Sequence, residues 1–150
     1  MAIVITAPEK IESTGFKVFL GGAIDMGSAV NWQAHVIEVL SDQPNLVLLN
    51  PRRKEFTSET LDEQIKWELK ALEMSDIVLI WFPVLSKAPI SFLEAGMYIK
   101  SGRLILGVEE GFYRQRNLEL SCEYNNVPLF RNLGDIVDEV LRRYILAKSL

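Results

Sequence analysis

The chain of 150 residues has a single cysteine, Cys122, and a single histidine, His35. One thiol cannot close an internal disulfide, and one cysteine with one histidine cannot furnish a tetrahedral Cys/His zinc site. Positive charge is also in short supply. Sixteen Lys and Arg against 20 Asp and Glu leave a net charge of −4, and the longest basic run is the triplet Arg52-Arg53-Lys54, followed by the pair Arg142-Arg143. A nucleic-acid polymer needs a more cationic face than that. No apolar run approaches the roughly 18 residues that cross a bilayer, and the first residues do not read as a signal peptide, so the expectation is a cytosolic protein with no membrane partner. The G-x-G-x-x-G spacing, a P-loop, an EF-hand and a catalytic Ser/His pair are absent from the sequence.

What is present is an ordinary globular composition, 49% hydrophobic and 24% charged, of a length that fits one domain over residues 1–150. Its most distinctive stretch runs from Trp81 to Gly96. Ile77 to Phe82 is a continuous apolar run that reads as a strand buried on both faces, the loop after it holds Pro83 and Pro89, and helical spacing begins at Ser91. Elsewhere residues 1–15 read as a lead-in segment. Strands are expected at Lys17–Leu20, Leu46–Leu49, Arg103–Val108 and Val127–Phe130. Helices are expected after Ser28, from Leu61 to Met74 with Thr60 and Glu63 as a capping box, and from Leu133 to about Ala147. Glu109 to Asn126 reads as loop and short helix. Strands alternating with helices predict a three-layer α/β domain around a five-stranded parallel sheet, flavodoxin-like, in the order 2-1-3-4-5. The crevice of such a sheet opens where strands 1 and 3 diverge, and the loops 21–27 and 81–90 both fall there.

Two glutamates interrupt apolar helix faces. Leu61, Ile65, Leu69 and Leu72 mark one stripe, and Glu68 lies on it or at its border; Ile90, Leu93 and Met97 mark a second, and Glu94 falls on that one. A buried carboxyl group needs a partner or a raised pKa. Plainer roles are open for both: Glu94 as the far end of a Ser91-x-x-Glu94 capping box, Glu68 as a solvated border residue. Gly21-Gly22 permits close backbone approach to a ligand but also suits any tight turn. Trp81 and Phe82 are either base-stacking platforms or core, and Arg52 and Arg53 either phosphate partners or solvated charges.

Taken in order, Phe19 to Gly27, Asn50-Pro51-Arg52-Arg53, Trp67-Glu68, Asp76, Trp81-Phe82, Pro89 to Gly96 and Arg116-Asn117 resemble the nucleoside 2-deoxyribosyltransferase family, over roughly residues 17–140. The resemblance implies an enzyme of nucleotide salvage that cleaves and re-forms the N-glycosidic bond of 2'-deoxynucleosides without a cofactor or metal. It implies Glu94 as nucleophile, kept ionised near its helix N-terminus, and Glu68 as the group that contacts the base and manages protons with a raised pKa. It further implies substrate contacts from Gly21, Gly22, Ile24, Asp25, Asn50, Arg52, Trp81, Phe82 and Ser91. Asn117 would be given to the sugar by a neighbouring subunit, hence a homo-oligomer. Two positions depart from the family pattern: Phe19 stands where many members carry tyrosine, and Ala88 where transferases often carry an acid. Two alternatives therefore stay open, an N-glycosidase acting on nucleoside 5'-monophosphates, with Ser86 or Ser91 on the phosphate, and a nucleotide-binding module without turnover.

Overall fold

The computed structural model describes residues 1–12, 14–24 and 30–149. Among them, β1 (Ile3–Thr6), β2 (Phe16–Gly22), β3 (Leu46–Asn50), β4 (Ile77–Phe82), β5 (Leu104–Val108) and β6 (Leu129–Phe130) form one sheet in the order β1-β3-β2-β4-β5-β6. All neighbouring strands are parallel. The helices are α1 (Trp32–Leu40), α2 (Leu61–Met74), α3 (Pro89–Tyr98), α4 (Gln115–Tyr124) and α5 (Leu133–Lys148). The expected five strands are β2 to β6, in the expected relative order, and β1 is an addition at the outer edge.

That addition corrects the reading of residues 1–15 as a lead-in. The short β-branched run Ile3-Val4-Ile5-Thr6 pairs with β3, from Ile3 opposite Val47 to Thr6 opposite Asn50. Ile5, Ala7 and Ile11 are buried with Trp67 of α2, whose indole N–H donates to the Glu9 carbonyl at 2.7 Å.

Alternation along the central strand divides the core in two. Ile77, Leu79 and Trp81 of β4 pack with Trp32, Val36 and Leu40 of α1 and with Ile136, Val137 and Val140 of α5. Val78, Ile80 and Phe82 face the other way, into the layer holding Trp67, Ala71 and Leu72 of α2, Ala95 and Tyr98 of α3, and Leu118 and Cys122 of α4. The start of β4 is locked to β2 by Asp76, whose carboxylate accepts the Lys17 N–H and whose own N–H donates to the Lys17 carbonyl, both at 2.8 Å.

The helix faces differ from the expected ones. Leu61, Ile65 and Leu69 of α2 and Ile90, Leu93 and Met97 of α3 are exposed; only Leu72 of the two expected stripes is buried. The inner faces are instead Gln64, Trp67, Ala71 and Leu72, and Ser91, Glu94, Ala95 and Tyr98. Both helices carry more apolar residues than one face accommodates, so periodicity alone does not choose between faces, and Ala71 and Ala95 let the helices lie close to the sheet. The helix starts differ as well. The residue before α3 is Ala88 in the left-handed region (φ 50°) with Pro89 as first helical residue, so Ser91 and Glu94 form no capping box. Thr60 bonds back to Thr57, while Glu63 pairs with Arg53. Ser28 lies outside the described residues, and Asn31 caps α1 by accepting the Ala34 N–H at 3.1 Å.

Phe82 is fully buried between Phe92 and Phe112, with ring centroids 4.8 and 5.2 Å away. Phe82→Ala is expected to destabilise the fold by about 3–5 kcal/mol in denaturant titration; a loss under 1 kcal/mol would contradict its place in the core.

Candidate active site at the junction of two helices

Glu68 sits mid-way along α2 and Glu94 on the inner face of α3, and their side chains hydrogen-bond to each other. The meeting follows from chain direction. Helix α2 starts at the carboxyl end of β3 and descends, and α3 starts at the carboxyl end of β4, so their inner faces run side by side against the sheet. Glu94 is only 6% exposed and Glu68 is half-buried.

Gln64, one turn before Glu68, is buried and joins the pair to the rest of the protein. Its amide nitrogen donates to the Pro51 carbonyl at 2.7 Å and to a Glu68 carboxyl oxygen at 2.9 Å. Its carbonyl accepts from Arg53 at 3.3 Å, and Arg53 also pairs with Glu63 at 2.6 Å. Arg53 is thus buried and paired, neither a phosphate ligand nor a solvated charge. Gln64 was not singled out from the sequence. The available signal was the polar Gln64 four residues before Glu68, on the same face.

Burial pushes the Glu94 carboxyl up to about 9, helped by the negative charge of Glu68 and by their hydrogen bond. Burial also raises Glu68, while hydrogen bonds from Gln64 and Glu94 pull it back down. Both shifts are upward, so the pair retains a proton near neutral pH. Burial beside Glu68 works against the ionised Glu94 that was expected. Proximity to the start of α3 does not compensate for burial beside a neighbouring carboxylate.

Most other expected contact residues are committed to packing or turns. A Cβ on Gly22 would stand 2.6 Å from the Trp81 carbonyl oxygen and 2.7 Å from Trp32 Cζ2, and one on Gly21 2.8 Å from Phe19 Cε2. The space a Cβ would take at these glycines is filled by core side chains and strand backbone. Trp81 and Phe82 are buried on opposite sheet faces, and both are core. Ile24 is half-buried, and Asp25 lies outside the described residues. The Asn50 side chain accepts the Arg52 N–H at 3.0 Å, closing a turn. Arg52 donates to the Val30 carbonyl at 3.1 Å and to Gln33 at 3.4 Å. Ser91 is buried within α3, and the Ser86 hydroxyl donates to the Pro83 carbonyl at 2.7 Å. The loop carrying Ser86 is pinned to the segment after β5, where Glu109 accepts the Val84 N–H at 2.7 Å and the Tyr113 hydroxyl donates to Lys87 at 3.3 Å.

Asn117 lies on α4. It lines a cavity of about 480 Å³ on the opposite flank of α3, with Phe92, Ala95, Gly96, Arg114 and Ser121 among its walls. Glu94 is not part of that cavity.

The protonation of the pair has a measurable consequence. Folded-state values above the ordinary 4.5 mean that the folded protein holds protons the unfolded chain has released. This contribution to stability is fullest below about pH 4.5 and is lost as pH rises toward about 9. Glu94→Gln keeps the shape and needs no proton, so its melting temperature should fall less than that of the wild type between pH 5 and 9. At pH 8 it should be the more stable form, by a few kcal/mol in order of magnitude. A stability difference independent of pH would show that the pair is not proton-bound.

The sequence model of the "Nucleoside 2-deoxyribosyltransferase like" family matches residues 15–112, which contain β2 to β5 and both glutamates. No curated protein matches the chain. The match spans 98 of the 150 residues, counted from 15 to 112, and includes the helices that hold the carboxyl pair. The chain belongs to the nucleoside 2-deoxyribosyltransferase-like family.

Proposed function

We propose that the protein transfers the 2-deoxyribosyl group of a 2'-deoxynucleoside from one nucleobase to another, through a covalent glycosyl-Glu94 intermediate. The single observation that carries this reading is the buried, hydrogen-bonded Glu68 and Glu94 pair in a chain of this family. Cleaving an N-glycosidic bond needs a proton for the departing base and a carboxylate for the oxocarbenium-like carbon. One proton on two carboxyl groups supplies both in turn.

The steps balance as follows. The proton held by the pair passes to the ring nitrogen of the leaving base, and the C1'–N bond breaks. Glu94, now ionised, forms the C1'–O bond, and Glu68 remains a carboxylate. An acceptor base then attacks C1', the glycosyl–Glu94 bond breaks, and the proton lost from the acceptor nitrogen returns to the pair. Two displacements at one carbon give net retention. No step requires a metal or a cofactor. The reading does not route through Ser86, whose hydroxyl is engaged in its own turn, and so does not favour a nucleoside 5'-monophosphate.

The proposed active form is a homo-oligomer. Leu61, Ile65 and Leu69 on α2 and Ile90, Leu93 and Met97 on α3 expose apolar surface on the two helices that carry the glutamates. A second copy laid over them buries that surface and shields the site, and it leaves Asn117 free to serve a neighbouring copy.

Incubation with a deoxynucleoside and a different free base should give the exchanged deoxynucleoside, read by chromatography. Glu94→Ala should lower the rate by at least about 10³-fold while the protein stays folded. Release of free deoxyribose at the same rate with and without acceptor would assign hydrolysis instead. Leu93 is 61% exposed, and Leu93→Glu is expected to shift the protein to monomer in sedimentation without loss of melting temperature. An unchanged assembly would place the interface elsewhere.

A further inference from the structure

We infer that Gln64 is a positioning residue that assigns the shared proton to Glu94 rather than Glu68, and that Arg53 holds Gln64 in the orientation this requires. The inference deepens the proposed function and rests on it for its catalytic meaning, but its structural content stands by itself.

The orientation follows from donors and acceptors. An arginine only donates, and a backbone carbonyl only accepts. Gln64 has Arg53 on one side at 3.3 Å and the Pro51 carbonyl on the other at 2.7 Å. Turning the amide over would set its carbonyl against the Pro51 carbonyl and its NH2 against the guanidinium, losing both bonds. Arg53 cannot swing away cheaply, because it is buried and paired with Glu63 at 2.6 Å. The remaining N–H of Gln64 therefore points at Glu68 Oε2, 2.9 Å away.

An oxygen that accepts this N–H is a poor seat for the proton. The other contact of Glu68 is with Glu94, and a hydrogen bond between two carboxyl groups needs one proton. With Glu68 oriented as acceptor, Glu94 is the donor. The charged and titratable groups joined through this junction are Arg53 from the segment after β3, Glu63 and Glu68 from α2, and Glu94 from α3. In the resting protein the nucleophile is thus capped, and it is uncapped by the transfer that protonates the leaving base. Gln64 touches no reacting atom; it acts through Glu68.

The test is a carbon-13 titration of glutamate side-chain carboxyls in the full chain, with Glu68 and Glu94 assigned by Glu68→Gln and Glu94→Gln. In Gln64→Leu, Glu68 loses its donor, and its titration midpoint should rise by about one to two pH units while Glu94 moves toward the ionised form. In Arg53→Met, which frees the amide to turn, the same changes should appear at smaller size. This second variant covers the case in which Gln64→Leu does not fold. Carboxyl titrations unchanged in the folded variants overturn the inference. In base exchange, Gln64→Leu should displace the pH profile of kcat/KM, whereas a merely structural role would scale the rate equally at all pH values. Shifted titrations in a protein that performs no base exchange would leave the inference standing and remove the catalytic reading. Base exchange with wild-type titrations in the variants would do the reverse.

Discussion

A carboxyl group buried beside another carboxyl group is stable only while a proton stays between them. Desolvation raises both, and the charge of Glu68 opposes ionisation of Glu94. Helices α2 and α3 bring Glu68 and Glu94 to such a contact, so the fold accepts the cost of placing two acids on inner faces. Offsetting interactions are close by: the Gln64 amide on Glu68, and the Arg53–Glu63 ion pair behind Gln64. Two acids whose environments treat them differently are the usual basis for dividing the roles of nucleophile and proton carrier.

The surrounding architecture serves this contact. Parallel strands require crossovers, and the crossovers on either side of β4 are α2 and α3, which therefore lie next to each other on one face of the sheet. Phe82, Phe92 and Phe112 fill the space under the start of α3, and the 83–88 loop is held by Glu109 and Tyr113. The left-handed Ala88 turns the chain from that loop into α3. A residue with a side chain in this conformation is uncommon, and it sits two turns from the carboxyl pair.

The inner and outer faces of α2 and α3 invert the simple expectation that apolar means buried. Gln64, Ser91 and Glu94 face inward, and Leu61, Ile65, Leu93 and Met97 face outward. Tertiary packing selected the face with Trp67, Ala71, Ala95 and Tyr98, whose shapes fit the sheet. This leaves the other apolar face to be covered by something else.

The sequence by itself determined the alternation of strands and helices, the strand order of β2 to β6 and the exact span of α2 and β4. Those features rest on local periodicity and on the connections that parallel strands allow, both written along the chain. It also pointed to Glu68 and Glu94 as acids on apolar helices. It did not reveal the edge strand β1, because four β-branched residues close to a proline carry too little pattern to separate strand from lead-in. Only the tertiary structure decided that Gly21, Gly22, Trp81 and Phe82 are spent on packing and that Arg53 and Gln64 stand behind Glu68. It alone showed that the two carboxyl groups share a site that retains a proton. Charge state depends on burial and on neighbours distant in sequence, and neither exists until the chain has folded.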